Sequence, residues 1–262
     1  MQSKLFDIGA NLTHESFSSD LSTIINESIS NNIEKISVTG CNVEDSLKAL
    51  SIAEMYPNNL ISTCGIHPHY ADSFNDSSEI EIKEIASNSL VKAIGETGLD
   101  FNRNYSKKEN QINSFIEHIK IANELNLPMF LHQRDSHKEF MTCLKDIYPE
   151  TNCVVHCFTG SEEELDAYLS LDFYIGITGW ICDEKRGSHL KEFISKIPLD
   201  KLLIETDSPY LLPKNIKIKG RRNKPLFLKE VFSKISSIRN EPVNDLSKAI
   251  YQNSLKFFNL EK

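Results

Sequence analysis

Val91-Lys92-Ala93-Ile94-Gly95-Glu96 is a short, mostly apolar run closed by a carboxylate. The pattern then recurs. Pro128-Met129-Phe130-Leu131 is closed by His132, Cys153-Val154-Val155 by His156, and Lys201-Leu202-Leu203-Ile204-Glu205-Thr206 by Asp207. Apolar runs this short, bounded by turn or helix-start signals, fit fully buried parallel strands. Leu5-Phe6-Asp7-Ile8, Lys35-Ile36-Ser37-Val38-Thr39, Leu60-Ile61-Ser62-Thr63-Cys64 and Phe173-Tyr174-Ile175-Gly176-Ile177 read the same way, which brings the count to eight. Helical patterns fill the gaps. Strands and helices alternating in this number predict an α/β chain folded as a (β/α)8 TIM barrel rather than an open sheet. In such a barrel the C-terminal ends of the strands converge on one face, where catalytic residues sit.

The helices carry their own signals. After the Glu96 run, Ile112, Phe115, Ile116, Ile119, Ala122 and Leu125 recur on one face. Ser106 with Glu109, Ser136 with Glu139, and Ser161 with Glu164 are spaced as capping boxes. A last helix, about 244–258, closes the barrel. No linker or low-complexity segment interrupts the chain, so residues 1–262 read as one domain.

Bulk composition narrows the possibilities. No apolar run approaches the roughly 20 residues of a membrane helix. Met1-Gln2-Ser3-Lys4-Leu5 lacks a signal-peptide pattern, and the six cysteines include no CxxC pair. Both features predict reduced core thiols in a cytoplasmic protein. The formal net charge of −8 argues against nonspecific binding of nucleic acid. A phosphate substrate would need a local source of positive charge.

The residues at the run ends supply such a source. Two neutral imidazoles and two carboxylates make a divalent-metal site, so Glu96, His132, His156 and Asp207 are the candidate ligands. Taken singly, each has an ordinary structural reading: a loop glutamate, a hydrogen-bonded core histidine, a solvated aspartate. All four holding at matching strand ends is a different matter. Glu205 and Asp207 stand two apart; on a strand they would face the same side, one on metal and the other orienting a partner. Gly65-Ile66-His67-Pro68-His69 follows the third strand, and His67 fits a phosphate contact better than a ligand. The segment from Lys214 to Lys224 holds Arg221 and Arg222 among four lysines. It could hold a nucleic-acid backbone or be a solvated loop. Trp180, Phe158 and Tyr210 follow strand ends, where they could stack on bases or pack in the core.

Six segments in order now carry a resemblance: Asp7-Ile8-Gly9-Ala10-Asn11-Leu12-Thr13, Gly65 to His69, Ala93 to Asp100, His132-Gln133-Arg134-Asp135, His156-Cys157-Phe158-Thr159-Gly160 and Glu205-Thr206-Asp207-Ser208-Pro209-Tyr210. The set resembles the TatD family of metal-dependent deoxyribonucleases over nearly the whole chain. That resemblance implies a TIM barrel of the amidohydrolase type. It implies a metal-dependent nuclease acting 3′ to 5′ on single-stranded DNA, with RNA as a further substrate. The family's ligand positions fall on Glu96, His132, His156 and Asp207. Most of the wider family opens with D-x-H-x-H, but here Gly9 and Asn11 stand where the histidines would be. A symmetric two-metal site is therefore not expected.

The expected mechanism is metal-assisted phosphodiester hydrolysis. Magnesium is the expected ion, with manganese or zinc tolerated by mixed nitrogen and oxygen ligands. Asp207 is the candidate to orient or deprotonate water, with Glu96 beside it; His67, Arg134, Arg221 and Arg222 would hold phosphate. No obligatory protein partner and no membrane are inferred. The rival activity is an amidohydrolase cutting a C–N or ester bond in a small molecule, because the same metal chemistry would serve it.

Overall fold

The structure, a computed structural model, describes residues 4–261. Eight strands form one sheet in chain order. They are β1 (Leu5–Ala10), β2 (Ile33–Val38), β3 (Leu60–Cys64), β4 (Val91–Asp100), β5 (Met129–Arg134), β6 (Cys153–Val155), β7 (Tyr174–Ile177) and β8 (Leu202–Ile204). The pairs β3–β4, β4–β5, β5–β6 and β7–β8 are parallel. Between and after them run α1 (Leu21–Ser30), α2 (Val43–Met55), α3 (Asp76–Ala86), α4 (Lys108–Leu125), α5 (His137–Asp146), α6 (Glu162–Ser170), α7 (Ser188–Phe193), α8 (Leu228–Ser236) and α9 (Val243–Phe257). This is the (β/α)8 barrel that the alternation predicts. Every residue of β1, β3, β6, β7 and β8 is buried, as parallel strands covered on both faces require.

The chain divides into two compact units, Val38–His156 and Met1–Ser37 with Cys157–Lys262. The first holds β3 to β6 and α2 to α5. Its tightest approach is between β4 and β5, where Gly98 pairs with His132. Gly98 has φ +137°, and a Cβ there would lie 2.0 Å from the His132 carbonyl oxygen, so only glycine lets the strands meet at this point. The second unit holds β1, β7 and β8. There the segment after β8 returns to β1: Asp207 N–H donates to Gly9 O at 2.9 Å, and Asn11 N–H to Ser208 O at 2.7 Å.

Several local expectations need correction. β4 and β5 run past their apolar cores, so Glu96 and His132 lie inside strands rather than at their ends. Glu205 and Asp207 lie beyond β8, and Asp207 has φ +51°, so the two do not share a strand face. Ser161 and Glu164 do form a capping box. Ser136 makes no side-chain cap, and its hydroxyl donates to Leu99 O instead. Ser106 is not a cap either: α4 starts after Lys107, and the Ser106 hydroxyl donates to His69 O. In both cases the serine joins neighbouring strand-end segments. The apolar stripe of α4 is also modified. Gln111, Ser114 and His118 are buried with Phe115, Ile119 and Ala122, while Ile112 and Ile116 are only half-buried. The buried polar groups tie down loops: Gln111 Oε1 accepts Asp100 N–H at 2.9 Å, and Gln111 Nε2 donates to Ser106 O at 3.0 Å.

The six cysteines are free thiols, with Cys64, Cys143, Cys153 and Cys182 buried. Among the described residues, no helix is long and apolar enough to cross a membrane.

Candidate metal centre

Glu96 is the hub of the Val38–His156 unit. Three imidazoles face its Oε1: His156 Nε2 at 2.7 Å, His132 Nδ1 at 2.8 Å and His67 Nε2 at 3.2 Å. His132 Nδ1 and His156 Nε2 are 3.3 Å apart. β4 supplies Glu96, β5 supplies His132, β6 leads directly into His156, and the turn after β3 supplies His67. Donor atoms each about 2.1 Å from one cation stand roughly 3.0–3.4 Å apart. Glu96, His132 and His156 present donors of the right chemistry for a divalent ion; the His132–His156 separation matches that spacing, while the 2.7 and 2.8 Å contacts to Glu96 are closer, at hydrogen-bond length.

His67 belongs to the cluster but plays a different part. It, Glu96 and His132 have donor atoms within 4.8 Å of one another, so distance alone would make it a ligand. Its Nδ1, however, accepts the backbone N–H of His69 at 3.0 Å. An accepting Nδ1 leaves the proton of the neutral ring on Nε2. Burial lowers the His67 pKa to about 4, against the partial offset of Glu96, so the ring is neutral at pH 7. His67 thus turns an N–H, not a lone pair, toward Glu96. A hydrogen-bond donor at that place suits a phosphate oxygen.

The charges of the cluster support one another. Burial works to raise the Glu96 pKa, but the imidazoles of His156, His67 and His132 packed against it outweigh burial and hold the group well below the usual carboxylate value. Burial works to lower His132, but contacts with Asp100 and Glu96 prevail and raise it. Asp100 is the carboxylate behind the histidines. Its Oδ2 is 2.9 Å from His69 Nε2 and 3.4 Å from His132 Nε2. The longer contact is poorly aligned, and His132 Nε2 has no true hydrogen bond. A carboxylate at the rear nitrogen of a ligating histidine fixes its ring and raises its basicity. On the other side, Cys41 Sγ lies 4.0 Å from Glu96 Oε2.

Asp207 is in the other unit, held by the N-terminal strand. Asn11 Nδ2 donates to Asp207 Oδ1 at 2.8 Å. The preceding residue is fixed by Asp7, whose Oδ1 accepts Thr206 N–H at 2.8 Å and whose Oδ2 accepts the Thr206 hydroxyl at 2.5 Å. Glu205 is buried and accepts Cys157 N–H at 2.5 Å. The remaining sequence candidates lie elsewhere. Arg134 and Arg221 are exposed. Arg222 forks onto Asp20 at 2.6 and 2.9 Å and also donates to Ser16 O. Phe158 is core, Tyr210 is exposed beside His14, and Trp180 lies under the Arg186 guanidinium.

Sequence reasoning missed Asp100 and His118, whereas His69 is expected from its HxH turn to reach the same mouth as His67 and does lie beside it. Asp100 was within reach: with Glu96 and Gly98 it keeps the period of a strand continued to its true end. His118 is a fully buried helix residue whose Nδ1 donates to Ser114 O at 2.6 Å and whose Nε2 accepts Ile66 N–H at 3.0 Å. It holds the backbone just before His67, and no local pattern announces that.

This constellation on a (β/α)8 barrel defines a metal-centre hydrolase. Residues 6–259 match the family model described as TatD related DNase, and the chain belongs to that family. Among its relatives is the 3′-5′ ssDNA/RNA exonuclease TatD of Yersinia pseudotuberculosis serotype O:3 (strain YPIII), 43% identical over 261 residues, covering 98% of this chain and 100% of the relative. The crystal structure of YJJV, a TatD homolog from Escherichia coli K12, superposes with a TM-score of 0.90 at 28% identity, covering all of both chains. A TatD family hydrolase from Entamoeba histolytica gives 0.89 at 27% identity, again over all of both chains.

Proposed function

We propose that this protein is a divalent-metal-dependent nuclease that removes nucleotides 3′ to 5′ from single-stranded DNA, and from RNA as well. The observation that carries the reading is the convergence of His132 Nδ1 and His156 Nε2 on Glu96 Oε1 within 3.3 Å. Those donors would hold the ion, with Asp207 as the further carboxylate. Bound there, a divalent cation lowers the pKa of water and neutralises phosphate charge in an in-line displacement. Magnesium is the ion of choice for such a phosphate site, and manganese or zinc would be accepted.

The chain's own groups do the rest. Asp207, its Oδ1 fixed by Asn11, orients the attacking water and takes its proton. His67 donates from Nε2 to a non-bridging phosphate oxygen. Asp100 stands behind His132, its carboxylate favouring the ring's electropositive edge. The relative from Yersinia is named for single-strand exonuclease action on both nucleic acids, which supports that substrate class here. We take residues 1–262 as one catalytic domain working in the cytoplasm.

The test is digestion of single-stranded DNA labelled at the 5′ or 3′ end, with magnesium, manganese or EDTA. Magnesium should give a descending ladder from the 5′ label, immediate release of the 3′ label, and nothing with EDTA. Full activity after EDTA and dialysis would overturn the metal reading. A ladder from the other end would overturn the polarity.

A further inference from the structure

Tyr105 has the most exposed ring of the large apolar side chains among the described residues, at 65%. It follows β4, in the segment Phe101-Asn102-Arg103-Asn104-Tyr105-Ser106-Lys107-Lys108, which holds three cations and no acid in a chain of net charge −8. Arg103, Lys107 and Lys108 are exposed, the Lys108 ammonium standing 4.3 Å from the Phe101 ring centroid. The ring belongs to a continuous aromatic series. Tyr105 lies 4.8 Å from His69, His69 lies 4.3 Å from His67, and His67 lies 4.5 Å from His132, measured between ring centroids. The series ends on the metal centre.

The loop that carries Tyr105 is rigidly tied. Asp100 Oδ1 accepts the N–H groups of Asn102 and Arg103 at 2.9 and 2.8 Å. Asn104, in the left-handed region at φ +51°, donates from Nδ2 to Phe101 O. Ser106 donates to His69 O, and Lys107 N–H donates to Asp72. A solvent-facing aromatic on a loop fixed at nearly every residue is pre-organised, so little entropy is lost when something stacks on it. Simple surface exposure explains neither the fixed loop nor the three cations that this short segment carries.

We propose that Tyr105 is the platform on which a base of a single-stranded substrate stacks, with Arg103, Lys107 and Lys108 receiving the adjoining phosphates. This rests on the nuclease reading and deepens it. A stacking face accepts every base, so the platform binds strands without sequence preference. It demands an unpaired base, so it selects single strands over duplexes.

The experiment compares wild type, Tyr105→Phe, Tyr105→Trp and Tyr105→Ala on a single-stranded oligonucleotide and on the same strand with abasic residues at its two 3′-terminal positions. With the ordinary strand, Tyr105→Ala should raise KM about ten- to a hundredfold, while kcat stays within about threefold and Phe and Trp stay near wild type. With the abasic strand, wild type and Tyr105→Ala should coincide. In EDTA, a 3′-terminal 2-aminopurine should be quenched on binding wild type or Tyr105→Trp and not on binding Tyr105→Ala. An unchanged KM in Tyr105→Ala, or the same loss on both strands, would overturn the proposal while leaving the nuclease intact. If wild type degrades neither strand, the nuclease reading fails and the platform falls with it.

Discussion

Glu96 and Asp7 are both carboxylates buried in strands of this barrel, and their surroundings treat them in opposite ways. Imidazole nitrogens from His67, His132 and His156 surround Glu96, and they hold it ionised against the cost of burial. Asp7 accepts from the hydroxyl and N–H of Thr206 and the N–H of Gly9, but these do not offset burial, which with the nearby Glu205 carboxylate pushes its pKa up to about 8. The difference shows how to sort buried acids. A carboxylate facing groups that a cation can replace or bind belongs to the chemistry. A carboxylate facing fixed peptide donors belongs to the architecture, here the placing of Thr206 beside Asp207.

The strongest attack on this contrast removes the ionised centre. Glu96→Gln, His132→Ala and His156→Ala should each cut activity on the order of a thousandfold, since several kcal/mol of charge stabilisation is lost with the metal. Calorimetry should show that each also loses metal binding, with the circular dichroism of wild type. Full activity in any two would dismiss the centre. Asp207→Ala should do the same to turnover.

The next effect is at Asn11. Partners that orient a ligating or catalytic carboxylate typically contribute ten- to a hundredfold, so Asn11→Ala should lower kcat by about that much. Asn11 stands where a histidine ligand is usual in the wider family, and it serves Asp207 instead. One metal should therefore bind firmly to the DNA-free protein, and any second should bind mainly with a non-cleavable oligonucleotide present. Two equally tight sites without DNA would show that other residues have replaced the missing histidines.

Asp7 gives the pH test. Its native pKa lies above the ordinary 3.8, so the folded chain binds the extra proton between those values. The stability this contributes is complete below the unfolded value and is lost as pH rises through about 8. Asp7→Asn keeps the uncharged form at every pH, with the Thr206 hydroxyl free to turn and accept. The Tm of Asp7→Asn minus that of wild type should rise steadily from about pH 5 to about pH 8.5. A flat difference would mean that Asp7 is already ionised, and the contrast with Glu96 would collapse. Activity at pH 7 should stay within about tenfold of wild type, as for a partner that acts at one remove.

What could be read in the sequence follows the same division. The clustering of Glu96, His132 and His156 was legible because apolar strands announce themselves, and a titratable group in or just after one is conspicuous. The strand count was legible for the same reason. Asp100 was overlooked because β4 continues through Thr97 and Gly98, residues that look like a turn, although its spacing from Glu96 keeps the strand period. His118 was hidden because its partner, the Ile66 N–H, is 52 positions away on another element. Two of the three capping boxes failed because Ser106 and Ser136 found carbonyl acceptors that only the assembled fold supplies.

Arg222 is the plainest case of that blindness, and it carries the smallest prediction. Beside Arg221 in a basic loop it reads as a phosphate contact. In the fold its guanidinium grips Asp20, 202 positions earlier, and the Asp20 carboxyl is lowered chiefly by that hydrogen bond. Asp20 is thus a third kind of carboxylate, half-exposed and matched by a cation from its own chain. If both arginines gripped phosphates, replacing both by alanine would flatten the logarithmic salt dependence of single-strand KM by about 1.4, at roughly 0.7 per contact. With Arg222 engaged on Asp20, the double variant should lose only about 0.7, all of it traceable to Arg221. Arg222→Ala alone should leave the slope unchanged and lower stability by under about 1 kcal/mol, as exposed ion pairs do. A slope change in Arg222→Ala equal to that of Arg221→Ala would show that substrate draws Arg222 away from Asp20, and the loop would return to the binding surface as a pair.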